Sequence, residues 1–158
     1  MKKISKDIPL SEITLRRYER PHKETRRDII RKLCLSIGLL QPGDSRDVIV
    51  DVLYVLLNAK KQKKKLTSEE VKDNVIKVRK KHKLPLIGIA SSNIRRQLRR
   101  LKDLFIIEKI NNSYRITEFL SLSEIFEEKF ESFLIPTVSA RVREYFNAVD
   151  ENFKKSSK

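Results

Sequence analysis

The sequence predicts a mainly α-helical fold with a short β-hairpin and additional N- and C-terminal helices. Apolar residues recur at helical spacing through most of the chain, a pattern that favours amphipathic helices. A run of β-formers over 105–110, an asparagine-rich turn and a second short run predict the hairpin. The 158 residues include only 3 glycines and 5 prolines, a composition that argues against β-sandwiches and barrels.

The first 44 residues are expected to form an arm and one helix. Residues 1–22 are polar and basic, with a helical turn predicted near 11–19 that Pro21 ends. Apolar residues then return at helical spacing, and Gly38 suits the position just after the helix end. The single cysteine, Cys34, lies on this stripe and is predicted to be part of the core. The stripe consists of Ile29, Ile30, Leu33, Cys34 and Ile37.

Two further helices are predicted between this region and residue 82. Asp44 or Ser45 is expected to cap the first, which ends in the lysine-rich run 60–65, since cations suit a helix C-terminus. Thr67 and Glu70 have the spacing of a capping box and start the second. The residues expected to face inward are Val48, Ile49, Val52, Leu53, Leu56, Leu57, Val71, Val75 and Val78.

A fourth helix and the hairpin complete the central region. Ser91 or Ser92 is expected to cap the helix, which runs to about Asp103. The hairpin is predicted over 105–117, with its turn at 111–113. These elements follow one another closely, so they are expected to belong to the same folded unit as the two preceding helices.

The last part of the chain predicts two helices, over 121–134 and 137–153, separated by a break at Pro136. Both have stripes rich in aromatic residues and carry little positive charge. These stripes can pack on their own core or on a second chain, and a homodimer is the favoured interpretation. The predicted stripe residues are Leu122, Ile125, Phe126, Phe130, Phe133, Leu134, Val138, Val142, Tyr145, Phe146, Val149 and Phe153.

The charge of the chain is concentrated in its middle. The formal net charge is +15, from 36 lysines and arginines and 21 aspartates and glutamates. Residues 45–118 hold 19 basic and 8 acidic groups, a net of +11, against +5 for 1–44 and −1 for 119–158. A localised excess indicates a polyanionic partner, most simply nucleic acid, whereas charge that serves solubility alone is expected to be spread evenly. The balance of lysine, glutamate and isoleucine is typical of thermophile proteins.

Helix 92–103 places arginine opposite its apolar residues. With about 3.6 residues per turn, Ile94, Leu98 and Leu101 share one inward face. Arginine suits guanine edges and phosphates, because its planar group donates two parallel hydrogen bonds. Asn93 is expected either to read adenine or to help cap the helix. The other candidates for DNA contact on this helix are Ser91, Ser92, Arg95, Arg96, Arg99 and Arg100.

The segment 91–119 resembles the recognition helix and wing of winged helix-turn-helix transcription regulators. Its serine start, apolar spacing, intervening basic residues and following strand–turn–strand are that family's pattern, and the resemblance extends over about 45–119. The connector 83–90 is longer than the usual turn of three to four residues in this motif. The resemblance implies that helix 92–103 enters the major groove and that hairpin 105–117 acts as a wing.

On the hairpin, the candidates for DNA contact are Lys109, Asn112 and Arg115, although an ordinary hairpin turn has similar composition. The run 60–65 is either a phosphate clamp or a solvated linker.

We therefore expect an arm and helix over 1–44, a DNA-binding domain over 45–118 and dimerising helices over 119–158. The expected function is sequence-specific binding of double-stranded DNA by a dimeric transcription regulator. The alternatives are a non-specific chromatin-type or RNA-binding protein and a protein–protein adaptor.

Other classes of function find little support in the sequence. The glycines Gly38, Gly43 and Gly88 are far apart and form no phosphate-binding loop. His22 and His82 are not accompanied by an evident metal-ligand set. We expect no catalytic residues, no metal and no cofactor, and the sequence does not reveal whether an effector binds. No apolar run is long enough to span a membrane, and the first residues do not resemble a signal peptide, so a cytoplasmic or nucleoid location is expected.

Overall fold

The computed structural model of this protein describes residues 6–155. It is mainly helical and contains a three-stranded antiparallel sheet. The described residues form two compact units, one of residues 14–125 and one that combines residues 6–13 with residues 126–155. Among the described residues, no helix has both the length and the apolar character required to cross a membrane.

The unit 14–125 is built from helices packed around a central helix, together with the three-stranded sheet. Its helices are α1 (Arg26–Ser36), α2 (Val48–Lys61), α3 (Ser68–Lys81), α4 (Ser91–Asp103) and α5 (Leu122–Ile125). Its strands are β1 (Leu66–Thr67), β2 (Ile107–Ile110) and β3 (Ser113–Ile116), in the sheet order β1-β3-β2.

Helix α2 is the centre of this unit. It packs against α1, α3 and α4, and Val50, Val52 and Leu53 are fully buried. The predicted apolar face was too narrow, because Val50, Asp51 and Val55 are buried as well, whereas Leu57 is only half-buried. A helix with neighbours on several sides buries most of its surface, so a single stripe does not describe it.

The starts of two helices differ from the sequence prediction. Helix α2 has Asp47 as its N-cap, not Asp44 or Ser45, and helix α4 has Ala90, not a serine. Asp44 instead accepts a hydrogen bond from the Arg46 backbone N–H. The expected capping box of α3 is confirmed: Thr67 accepts from the Glu70 N–H, and Glu70 accepts from the Thr67 N–H.

The hairpin is confirmed, with Asn111 and Asn112 as its two-residue loop. Asn111 has a φ of 56°, in the left-handed region that asparagine tolerates better than most residues. Strand β1 was not predicted from the sequence. It pairs antiparallel with β3 through Leu66 opposite Tyr114, so the short segment between α2 and α3 extends the hairpin to three strands.

Residues 11–19 of the arm before α1 are not helical, contrary to the turn predicted there. Instead, Arg16 of the arm donates hydrogen bonds to backbone carbonyls at the end of α1. The Arg16 backbone N–H donates to the Ser36 carbonyl over 2.7 Å, and the Arg16 guanidinium donates to the Leu35 carbonyl over 2.6 Å. These carbonyls lie at a helix end, where backbone acceptors lack partners within the helix, so the extended arm gains hydrogen bonds that a local helical turn would forgo.

Helix α1 completes the core of this unit. The prediction for Cys34 is confirmed, since its side chain is fully buried and burial raises the pKa of its thiol to about 12. The predicted stripe is wrong at Ile29, which is 41% exposed, and it omitted Leu35, which is buried. Gly38 follows the helix with a φ of 79°, as its predicted position after the helix end requires.

A buried cluster of four charged residues joins α1, α2 and α3. The Arg27 Nε donates to Asp51 over 2.8 Å, and its Nη2 donates to Asp47 over 3.0 Å. The Arg79 Nη1 donates to Asp51 over 2.6 Å and to Asp47 over 3.1 Å. We define these residues as the buried ion cluster: Arg27, Asp47, Asp51 and Arg79. Two positive and two negative charges balance within it, as burial of charge requires.

The second unit contains a π-helical segment (Phe126–Leu134) that continues into helix α6 (Ile135–Asn152). The predicted break at Pro136 is therefore wrong. Proline lacks an N–H, and its ring clashes with the preceding turn of an α-helix. Pro136 lies in the first turn of α6, directly after the π-helical segment, where a helix tolerates proline.

Candidate nucleic-acid interface

Helix α4 is held by its apolar face against the core. Ile94, Leu98 and Leu101 are fully buried, and the helix packs against α2, α3 and β2. The inward face predicted for this helix is thus confirmed. The connector before it is fixed as well, because Arg79 donates to the Pro85 carbonyl and Asn93 donates to the Gly88 carbonyl. The longer connector therefore leaves α4 firmly positioned.

The opposite side of α4 presents a basic surface. We define the α4 arginine face as Ser92, Arg95, Arg96 and Arg99, whose side chains are all exposed. No ion pair within residues 6–155 involves these three arginines. Arg96 donates to the Asn93 side-chain oxygen over 2.7 Å, which orients its guanidinium along the helix. Three neighbouring cations without a carboxylate partner create a site of positive potential.

Three other candidates on this helix make contacts within the fold. The Ser91 hydroxyl donates to Glu69 on α3 over 3.1 Å and accepts from Lys72 over 3.2 Å. Asn93 uses both ends of its amide, donating to the Gly88 carbonyl and accepting from Arg96. Both ends of the Asn93 amide therefore already form hydrogen bonds within the protein.

Arg100 is the third of these. Its Nη2 donates to the Leu39 carbonyl over 2.6 Å, and its Nη1 donates to the Gln97 side chain over 2.8 Å. The bond to Leu39 ties α4 to the loop after α1. Arg100 is half-buried as a result, in contrast to Arg96 and Arg99.

The hairpin candidates also differ from one another. Asn112 is exposed in the loop, and Lys109 is exposed beside it, with its ammonium 5.7 Å from the centre of the Tyr114 ring. Arg115 is half-buried, since its Nε donates to Glu108 on the facing strand over 2.7 Å and its guanidinium lies 4.8 Å from the centre of the Phe119 ring. Arg115 therefore stabilises the hairpin, while Lys109 and Asn112 remain accessible to a partner.

One residue near the α4 arginine face was missed in the sequence. Arg46 is exposed and lines a depression of about 410 Å³ together with Arg96 and Arg100. A second depression, of about 350 Å³, is lined by Ser92, Asn93, Arg96 and Arg99. The only sequence signal for Arg46 was a basic residue directly before an apolar helix. Its position extends the basic surface beyond α4.

The other basic clusters of the central region divide by burial. The lysines Lys61, Lys63, Lys64 and Lys65 are exposed in the turn that leads into β1. Arg79, which stands in a basic run of the sequence with Lys77, Lys80, Lys81 and Lys83, is only 3% exposed and belongs to the buried ion cluster. The signal for this burial was present in Asp47 and Asp51, two carboxylates spaced four apart in an otherwise apolar helix.

A further cavity lies away from the α4 arginine face. It has a volume of about 530 Å³ and is bounded by arm residues and by α1, with Tyr18, Ile29 and Leu33 in its wall.

Among the described residues, no group of three or more metal-ligating side chains is close enough to hold an ion. Comparison with known protein families, with curated proteins and with solved structures finds no match to this chain.

Proposed function

We propose that this protein binds double-stranded DNA as a winged helix-turn-helix transcription regulator. In this proposal, α4 enters the major groove and the β2–β3 hairpin contacts the adjacent backbone as a wing. The order of α2, α3 and α4 followed by the hairpin supports the assignment, since it is the order of the family that the sequence resembles. Lys109 on β2 and Asn112 in the hairpin loop are exposed and can reach a phosphate or a minor groove.

The α4 arginine face is the observation that carries this proposal. Three other arginines of the unit 14–125 are paired with carboxylates: Arg27 and Arg79 with buried aspartates and Arg115 with Glu108. Arg95, Arg96 and Arg99 have no such partner among the described residues, although they are neighbours on one helix. Like charges at this spacing repel one another, and phosphates or guanine edges would relieve that repulsion.

The contacts also suggest different roles for the arginines. Arg96 and Arg99 lie on the exposed side of a helix that is narrow enough for the major groove, where an arginine reads guanine through O6 and N7. Arg46 and the lysines that precede β1 lie outside α4, and we assign them to phosphates, which position a protein without specifying sequence. Specificity and affinity are thereby supplied by separate sets of side chains.

Binding to labelled duplexes, measured by fluorescence anisotropy over a range of salt concentrations, tests the proposal. A preferred duplex is first selected from a random pool. The logarithm of the affinity should fall steeply with the logarithm of salt concentration, because each phosphate contact releases counterions. Arg96→Ala and Arg99→Ala should each reduce discrimination between the preferred and a scrambled duplex by about 1–3 kcal/mol.

Arg143→Ala provides the matched control. Arg143 is an exposed arginine of α6 without an ion pair in the part of the chain described, so its removal should leave discrimination unchanged. Equal weakening on every duplex by the α4 variants would favour a non-specific chromatin-type protein. Tighter binding of structured RNA than of duplex DNA would favour an RNA-binding protein. Absence of duplex binding at low salt would refute the proposal and favour a protein–protein adaptor.

A further inference from the structure

Helix α6 is exposed along most of its length although it carries large apolar side chains. None of its 18 residues is buried. Tyr145 is 69% exposed, Phe146 is 68% exposed and Phe153, at its end, is 84% exposed. Val142 and Val149 are 47% and 56% exposed. Contiguous exposed apolar groups of this size mark interaction sites in folded proteins.

These side chains lie on one side of the helix. At about 100° per residue, the large apolar residues of this helix and Phe153 at its end fall within an arc of about 100°. The charged residues of the helix all fall outside that arc. We define the α6 apolar face by its members: Ile135, Val138, Val142, Tyr145, Phe146, Val149 and Phe153.

The spacing within the α6 apolar face suits a pair of helices. Ile135, Val142 and Val149 are seven residues apart, and Val138 and Tyr145 lie between them, as in the apolar seam of paired helices. Tyr145 and Phe146 lie about halfway along the helix, at the two edges of the face.

The exposed area matches what a stable pair requires. At these exposures, the three aromatic side chains and two valines leave on the order of 700 Å² of apolar surface open in each chain. Two copies facing each other would therefore cover about 1,400 Å², within the range of roughly 1,200–2,000 Å² for specific protein interfaces.

The charge near α6 allows another copy of this chain to pack there. Two molecules with a net charge of +15 each repel one another unless the contact region is itself near neutral. Residues 135–155 hold four basic and three acidic residues, so this stretch has a net charge of only +1. The strongly basic stretch of the chain, residues 45–118, is separate in sequence from α6.

We propose that the α6 apolar face packs against the same face of a second copy, forming a symmetric dimer. Each residue of the face then contacts its counterparts across the two-fold axis, as in other isologous interfaces. The proposal does not depend on DNA binding, because it concerns residues outside the α4 arginine face. If both proposals hold, each dimer contains two α4 helices.

Sedimentation velocity of the full chain at micromolar concentrations tests the dimer. The wild-type chain should sediment with twice the single-chain mass of 18.6 kDa. Tyr145→Glu and Val149→Glu should each weaken self-association at least about tenfold, since they place a charge in an apolar contact. Both residues are exposed in the single chain, so the variants should keep the wild-type circular dichroism spectrum.

Ala140→Glu is the matched control, because Ala140 is exposed on the opposite side of the same helix. It should sediment as a dimer. A wild-type chain with the mass of one molecule would overturn the proposal, and so would equal dissociation of Ala140→Glu and Val149→Glu. Arg96→Ala and Arg99→Ala should also remain dimeric, so loss of DNA binding and loss of the dimer are recorded separately.

Discussion

Replacing Asp51 with alanine removes the carboxylate that the two buried arginines share. Asp51 is fully buried and accepts hydrogen bonds from Arg27 Nε over 2.8 Å and from Arg79 Nη1 over 2.6 Å. Arg27 and Arg79 are themselves only 7% and 3% exposed. After the substitution, Asp47 alone would face two guanidinium groups, and one positive charge would remain uncompensated away from water.

The expected loss of stability is large for one substitution. Removal of one partner from a buried ion pair destabilises proteins by about 3–5 kcal/mol, because the remaining charge lacks both water and a counterion. In a protein of this size, each kcal/mol lowers the melting temperature by roughly 2–4 °C, so the expected decrease is about 6–20 °C. By comparison, the Arg141–Glu144 pair is 62% and 66% exposed. Its disruption should cost about 0–1 kcal/mol.

Urea unfolding followed by circular dichroism provides the assay, with Glu144→Ala as the matched control. The two variants remove a carboxylate of similar chemistry from an arginine, and they differ in burial. The midpoint for Asp51→Ala should fall strongly while the slope with urea stays similar to that of the wild type. A loss below about 1 kcal/mol for Asp51→Ala would refute the view that the buried ion cluster holds α1, α2 and α3 together.

Three other predictions follow from individual contacts. Burial raises the pKa of Asp47, but hydrogen bonds from Arg27 and Arg79 outweigh it and hold that pKa below its ordinary value. The stability that Asp47 contributes should therefore be complete above about pH 5 and lost as pH falls below about 4, and urea midpoints should show a smaller acid loss for Asp47→Asn. Cys34 should react with a thiol reagent only as fast as the protein opens, because its side chain is buried and burial raises its thiol pKa to about 12; labelling at the rate of a free thiol would contradict this. Gly38→Ala should lower the melting temperature, since φ is 79° and a Cβ would lie 2.6 Å from the Thr14 Cβ; an unchanged melting temperature would contradict the close approach.

Features that depend on neighbouring residues in the chain were the most predictable. The Thr67–Glu70 capping box needs only two side chains three residues apart, and it forms as expected. The inward face of α4 follows from the spacing of its apolar residues, and the hairpin loop follows from its asparagines. In each of these elements, the interactions that decide the conformation lie within a few residues of one another.

Features that depend on distant partners were missed. Strand β1 has two residues, and it exists because Leu66 and Thr67 pair with β3, nearly fifty positions further along the chain. The arm is extended because Arg16 finds the carbonyl groups at the end of α1. Neither partner is visible in a local pattern, since hydrogen bonds between distant segments leave no periodicity in the sequence.

The candidate interface shows the same division. Composition correctly located the excess of arginine, but it could not separate the arginines that have partners within the fold from those that do not. Arg79 and Arg100 lie in basic runs, yet one binds buried aspartates and the other the Leu39 carbonyl. Arg96 and Arg99 are exposed in the same kind of run. Only the contacts between side chains of different elements distinguish the arginines that have partners within the fold from those that do not.

This division links the core to the proposed function. A side chain reads a base edge well only when its helix is fixed, because a mobile helix must be ordered upon binding at a cost in free energy. The buried ion cluster fixes α1, α2 and α3, and the Arg100 bond to Leu39 fixes α4 against the loop after α1. The arginines that have partners within the fold therefore fix the positions of the helices. The α4 arginine face stays exposed, as the proposed binding of phosphates and bases requires.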